Sequence, residues 1–357
     1  MDLKDILEMH ARLYPKMQVQ DAVKLVYQNE FGGGHLVRDV QESLSRIISE
    51  WQQAKKEGRA IPSDLRFVDV GNGLCRLDLS VLDDTAIEPS TVNRFFVNTS
   101  GEVKGSVERF ERKIDILKRY CKEGRIRFEP VELERYLDDY RRRGYPAVSH
   151  SDIYRASYFP CYRIVKNDYR RYFDVFCRID SLMKSGESIT VAIDGNSGAG
   201  KSTLAALLAD VYDCNVFHMD DFFLRPEQRT AERLAKTGEF VDHERFRQEV
   251  MAWLKGGKPF SYRKFDCGKM TLGESVKVSP KSLNIVEGSY SMHPELIENY
   301  DLKIFLHVDP EEQEQRIRKR NGEEMLKRFR EEWIPRENRY FEEMKIAEKC
   351  DLVFGIP

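Results

Sequence analysis

At 357 residues the chain is longer than one ordinary hydrophobic core supports, so two domains are expected. Its 41% apolar and 33% charged residues are normal for a soluble globular protein. A net charge of −2 removes any global electrostatic case for DNA, RNA or an anionic membrane as partner.

The seven cysteines are scattered and form no CxxC pair, which argues against a disulfide framework and a structural zinc site. The opening residues lack the apolar core of a signal peptide, and no run approaches the roughly 20 apolar residues of a membrane span. A cytoplasmic location is expected.

In chain order, apolar residues recur at helical spacing over 3–13, 19–31, 40–51, 107–120 and 131–140. Residues 67–77 predict two strands about an Asn72-Gly73 turn. Residues 1–183 are thus expected to be a mostly helical α+β domain, either contributing to acceptor binding or serving as a regulatory module. Three clusters stand out in it. The glycine run of Asn29 to His35 suits a helix C-cap, or a loop that approaches a ligand. Residues 149–163, with Tyr154, Tyr158, Phe159, Tyr162, Arg155 and Arg163, suit either core packing or a pocket for a phosphate or base. Asn98 to Glu102 predicts a polar turn.

Lys184-Ser185-Gly186-Glu187-Ser188 marks a seam. Beyond it, short apolar strands at 189–193, 216–219, 283–286, 302–308 and 352–354 alternate with helical stretches. That alternation predicts an α/β domain over 188–357, a parallel sheet with helices on both faces.

Directly after its first strand stands Gly195-Asn196-Ser197-Gly198-Ala199-Gly200-Lys201-Ser202-Thr203, a match to GxxxxGK[ST]. A polyphosphate needs several backbone N–H groups converging on it, and glycines permit that approach. The following helix points its partly positive N-terminus at the same place. Lys201 is expected to reach the β- and γ-phosphates of ATP, and the Ser202 hydroxyl to ligate Mg²⁺. No NKxD or LSGGQ element follows, so neither a GTPase nor a transporter ATPase is indicated. Instead Asp220 and Asp221 end the second strand, where one carboxylate can take a hydroxyl proton and the other can hold metal or substrate. Glu287, at another strand end, suits a water-mediated Mg²⁺ contact beside Gly288. Arg316 and Arg320 are candidates to neutralise charge on the transferring group.

From about residue 188 onward the chain resembles the uridine kinase and phosphoribulokinase group of P-loop kinases. The residues that carry the resemblance are GNSGAGKST at 195–203, HMDDFF at 218–223, FVDHERF at 240–246, SYRKFD at 261–266, VEGSY at 286–290 and the arginines from 316. It implies that Asp220 is the catalytic base, that Asp242 with His243 grips the acceptor, and that Tyr262 and Arg263 line the acceptor pocket. It further implies that Glu287 assists Mg²⁺ and that Arg316 and Arg320 belong to a lid. Glu244 stands where the group has proline, and 332–340 has no counterpart in ordinary uridine kinases.

The sequence thus predicts an ATP- and Mg²⁺-dependent kinase acting on a hydroxyl of a small metabolite, nucleoside or sugar-like. The alternative from another class is an ATP-binding sensor whose two domains respond to nucleotide. A nucleic-acid end kinase is a third reading, weakened by the acidic residues that interleave with its basic stretches. A small-molecule acceptor is the expected partner, with no membrane partner, and homo-oligomerisation is left open.

Overall fold

The computed structural model describes residues 2–37, 39–59 and 61–356. The chain divides into two units between Cys177 and Arg178, inside the helix Phe173–Met183 and just ahead of the polar seam. Among the described residues no helix is long and apolar enough to cross a membrane.

The first unit is mostly helical. Its helices Leu3–Leu13, Val19–Phe31, Val107–Lys122 and Pro130–Arg142 turn apolar stripes toward one core, to which Ile6, Leu25, Phe110, Ile114, Leu137 and Tyr140 belong. Each fully buried side chain of that size contributes about 1.5–3 kcal/mol. The strands β1 (Phe67–Gly71) and β2 (Leu74–Asp78) pair antiparallel about Asn72 and Gly73. Both turn residues have positive φ, as a two-residue hairpin requires. The helix Val19–Phe31 ends in a cap at Gly32, whose N–H donates to the Gln28 carbonyl.

Two features differ from the sequence reading. Asn98 to Glu102 is no turn but the last part of the helix Pro89–Glu102. Pro89 opens that helix, and Val92, Phe95, Phe96 and Thr99 turn inward at helical spacing, which overrides the polar tail. A third strand, β3 (Tyr162–Lys166), pairs with β2 out of the second aromatic cluster. Its five residues are too few for periodicity to separate strand from helix.

The second unit is built on β4 (Ile189–Gly195) and β5 (Cys214–His218). An antiparallel hairpin follows, β6 (Phe260–Asp266) with β7 (Thr271–Val278), and then β8 (Leu283–Glu287), β9 (Leu302–Val308) and β10 (Leu352–Ile356). Five of these form one parallel sheet, in the order β10-β9-β4-β8-β5, flanked by helices. Every residue of β4 and β8 is buried, as their near-continuous apolar runs require of central parallel strands. The register sets Ile193, Glu287 and His218 side by side across β4, β8 and β5. The carboxyl ends of three strands therefore open on one edge, where ligands bind in sheets of this kind. The strand expected at 216–219 stops one residue early, because Met219 turns into a buried 3-10 segment, Met219–Phe222. The hairpin β6–β7 was not foreseen.

Candidate active site

The loop from β4 into the helix Lys201–Ala209 is pinned from below. Gly195 has a φ of +143°, and a Cβ there would lie 1.9 Å from the Leu306 carbonyl oxygen, so only glycine lets the chain leave the sheet at this point. Asp194, fully buried, accepts hydrogen bonds from the N–H groups of Gly195 (2.8 Å) and Met292 (3.0 Å) and from the Tyr340 hydroxyl (2.9 Å). Burial pushes its pKa up to about 6, against those bonds and the Lys201 charge.

Lys201 curls over the loop. Its ammonium donates to the carbonyls of Gly195 (2.8 Å) and Asn196 (3.0 Å) and to Ser289 Oγ (3.2 Å). The Ser202 hydroxyl donates to Glu287 Oε1 at 3.0 Å, and His218 Nδ1 lies 2.5 Å from the same oxygen. That bond to Glu287 raises the pKa of His218. The two residues expected to serve Mg²⁺ are thus in contact, one on the loop helix and one at the end of β8. Ser202, Glu287 and their neighbour Ser289 offer a hard oxygen set of the kind Mg²⁺ takes. Gly288 is needed beside them, because a Cβ there would come 2.8 Å from Met219 Cβ.

Asp220 lies in the turn after β5. Its side chain reaches solvent, yet the protein crowded around the carboxyl desolvates it and raises its pKa. Glu287 and Glu337 push the same way, while Lys201 and His218 oppose them. Asp221 points elsewhere, paired with Lys264 (2.9 Å) and approached by the Tyr262 hydroxyl (3.4 Å), both on β6. Tyr262 is buried and Arg263 is exposed.

Asp242 is brought beside this turn by its own N–H, which donates to the Phe222 carbonyl (2.7 Å), and by a bridge between Phe223 and Val241. Its Oδ1 caps the short helix His243–Phe246 through the Arg245 N–H (3.1 Å). Its Oδ2 is buried and has no hydrogen-bond partner among the described residues, with Arg245 Nε at 3.6 Å and Arg225 Nε at 3.8 Å. A buried carboxylate oxygen left open in this way suits an incoming hydroxyl. His243 is packed away, its ring stacked on His293 at 4.0 Å between centroids and its Nε2 3.3 Å from Glu239.

The two arginines expected to form a lid part company. Arg316 donates to the Gly198 carbonyl of the loop (3.3 Å) and to Glu312 (2.7 Å). Arg320 bonds Asn321 (2.7 Å), close to where Gly322 breaks the helix Pro310–Arg328. Arg316→Ala is expected to lower kcat about tenfold and Arg320→Ala to change it less than about twofold, by steady-state kinetics. Equal losses would mean that both reach the transferring group.

No protein-family model matches the chain. Similar solved structures cover about half of it. A candidate uridine kinase from Bacillus stearothermophilus is 22% identical over 51% of this chain and 99% of its own, with a TM-score of 0.38. A candidate fructose transport system kinase from a Silicibacter species is 25% identical over 47% of this chain and 90% of its own, also at 0.38. The shikimate kinase of Bacteroides thetaiotaomicron is 17% identical over 47% and 85%, at 0.23.

Four residues of the site, Glu337, Asn338, Tyr340 and Arg245, escaped the sequence reading. Glu337, buried on the helix Ile334–Glu343, accepts from the Ser197 N–H (2.9 Å), the Ser197 hydroxyl (2.5 Å) and the Ser289 hydroxyl (2.9 Å). Its neighbours Asn338 and Tyr340 bond Asn196 (3.2 Å) and Asp194, so one face of this helix is clamped on the phosphate loop. Arg245 is a different kind of tie. Its guanidinium lies 4.2 Å from the Phe222 ring and donates to the carbonyls of Asp221 (2.9 Å) and Arg263, joining the turn after β5 to β6. A helical spacing of Glu337 and Tyr340 just after Pro335 was the available signal for those two.

Proposed function

We propose that this chain is an ATP- and Mg²⁺-dependent kinase that transfers the γ-phosphoryl group of ATP to a hydroxyl of a small metabolite, nucleoside or sugar-like. The observation that supports it most is the placing of Asp220, a desolvated carboxyl within electrostatic reach of Lys201 on the loop and Glu287 on β8. A nucleotide sensor has no use for such a group. Asp242 Oδ2 orients the acceptor, and Asp220 takes the proton of its hydroxyl. That oxygen then bonds to phosphorus as the bond to the ADP oxygen breaks. Lys201 and Arg316 offset the charge spread over the transferring group. Ser202 and Glu287 would hold Mg²⁺, which would supply further neutralisation of that charge.

The direct test is ADP release from the full chain with MgATP against a panel of nucleosides, sugars and hydroxy-metabolites. Acceptor-dependent ADP is expected from at least one member, and a blank panel with ATP bound would favour the sensor. With the acceptor in hand, Asp242→Asn is expected to raise its KM about tenfold and leave the KM for ATP unchanged. A variant with wild-type KM for the acceptor would remove Asp242 from the acceptor site.

A further inference from the structure

We propose that the first unit carries a binding site for a planar heteroaromatic ring, the class to which nucleobases and nicotinamide belong. It is a separate site from the kinase centre and does not rest on the kinase reading. A cavity of about 460 Å³ opens there, within the range of small-ligand pockets. Its lining includes five aromatic residues, Tyr14, Tyr154, Tyr158, Phe159 and Tyr162. The first three rings pack on one another, with centroids 4.8–5.2 Å apart.

These walls are held rigid by a buried polar chain. Asp21 binds His150 Nδ1 (2.8 Å), and His150 Nε2 binds the Tyr162 hydroxyl (2.6 Å), which also accepts from Gln28 Nε2 (3.0 Å). The His150 ring stacks flat on Tyr154, 4.0 Å between centroids and 4° between planes. Behind the rings lies Arg76, buried, with its guanidinium carbon 4.7 Å from the Tyr162 centroid and 6.0 Å from that of Tyr14. Its hydrogen bonds go to Gln28 Oε1 (2.8 and 3.1 Å) and the Tyr154 hydroxyl (3.1 Å), all neutral acceptors.

The edge of the cavity is charged. Arg59 and Asp78 are paired there through both Nη atoms, with Nη1 to Oδ1 at 2.8 Å, and Asp78 Oδ1 also accepts from the Ser80 N–H (2.9 Å). The Arg59 side chain is nine-tenths buried, and its Nε has no partner among the described residues.

Phe159 gives a second, independent pointer. It sits past the end of the helix Asp152–Tyr158 in the left-handed region (φ 45°, ψ 56°), where glycine is preferred, and it is 56% exposed. Neither the backbone nor burial favours phenylalanine at that position. Its place on the cavity wall does.

Calorimetric titration of the full chain with uridine, guanosine, adenosine and nicotinamide, each alone, tests the site. At least one is expected to bind one-to-one with a Kd below about 1 mM. Nicotinamide binding alone would assign a pyridine carboxamide, and nucleoside binding a nucleobase. Phe159→Gly is expected to weaken that binding at least fivefold without lowering Tm, and Ser157→Trp, which fills the cavity, to abolish it. Asp242→Asn, in the other unit, is expected to leave it unchanged. The proposal is overturned if no probe binds, if binding survives both first-unit variants or is lost in Asp242→Asn, or if Phe159→Gly lowers Tm.

Discussion

Asp220→Asn is expected to lower phosphoryl transfer by about a thousandfold while the affinity for MgATP stays within about twofold. The asparagine keeps the size and polarity of the side chain but cannot take a proton from an acceptor hydroxyl. General-base assistance contributes about 10²–10⁴ in rate, so a loss of this order is the signature of the role. Nucleotide affinity is set by the loop and Lys201, which the substitution leaves in place. The pH profile is a second readout. Desolvation, together with Glu287 and Glu337, raises the Asp220 pKa, so the catalytically competent carboxylate is lost at a higher pH than for an ordinary aspartate. The acidic limb of kcat should therefore lie above the usual carboxylate range and disappear in the variant. Turnover within tenfold of wild type would mean that Asp220 is not the base.

The parts of the site legible from the sequence are those whose chemistry forces local spelling. Gly195 is dictated by the Leu306 carbonyl beneath it, Lys201 and Ser202 by their fixed offset from it, and Asp220 and Glu287 by their positions at strand ends. The strands β4 and β8 were legible because central parallel strands are buried on both faces and spell apolar runs. What escaped depends on pairings between distant segments. The β6–β7 hairpin shows a mixed burial pattern with several exposed residues, which gives no clear period. Glu337 meets the loop from 140 residues away along the chain, and nothing local to it announces a partner. His243 matched a motif by spelling, yet its neighbours Glu239 and His293 enclose it. In the first unit, the aromatic cluster at 149–163 left both core and pocket open, with core packing the more expected. The decision lay in Tyr14, Arg59 and Asp78, which arrive from other segments to complete a cavity wall.

Glu337→Gln is expected to tighten MgATP binding by about a hundredfold. The Glu337 carboxylate already takes one loop N–H and two hydroxyls, so an anion of the protein's own occupies part of a cradle suited to phosphate. An incoming triphosphate meets that charge at close range. Two like charges about 4 Å apart repel by about 4 kcal/mol at an effective dielectric constant of about 20. Retaining somewhat more than half of that for a buried group gives about 2.7 kcal/mol, or two powers of ten in Kd. Glutamine keeps an oxygen for the Ser197 and Ser289 hydroxyls, so the helix Ile334–Glu343 stays docked through Asn338 and Tyr340 as well. The gain should appear equally with inorganic tripolyphosphate, because the repulsion concerns phosphate and not adenine. It should shrink at high salt only slightly, since Glu337 is buried. Unchanged or weaker ATP binding in Glu337→Gln would show that the carboxylate braces the loop in its binding shape. In that event the Ser197–Glu337–Ser289 bridge is part of the nucleotide site itself, and the charge of Glu337 is tolerated because Lys201, bonded to the same Ser289, offsets it.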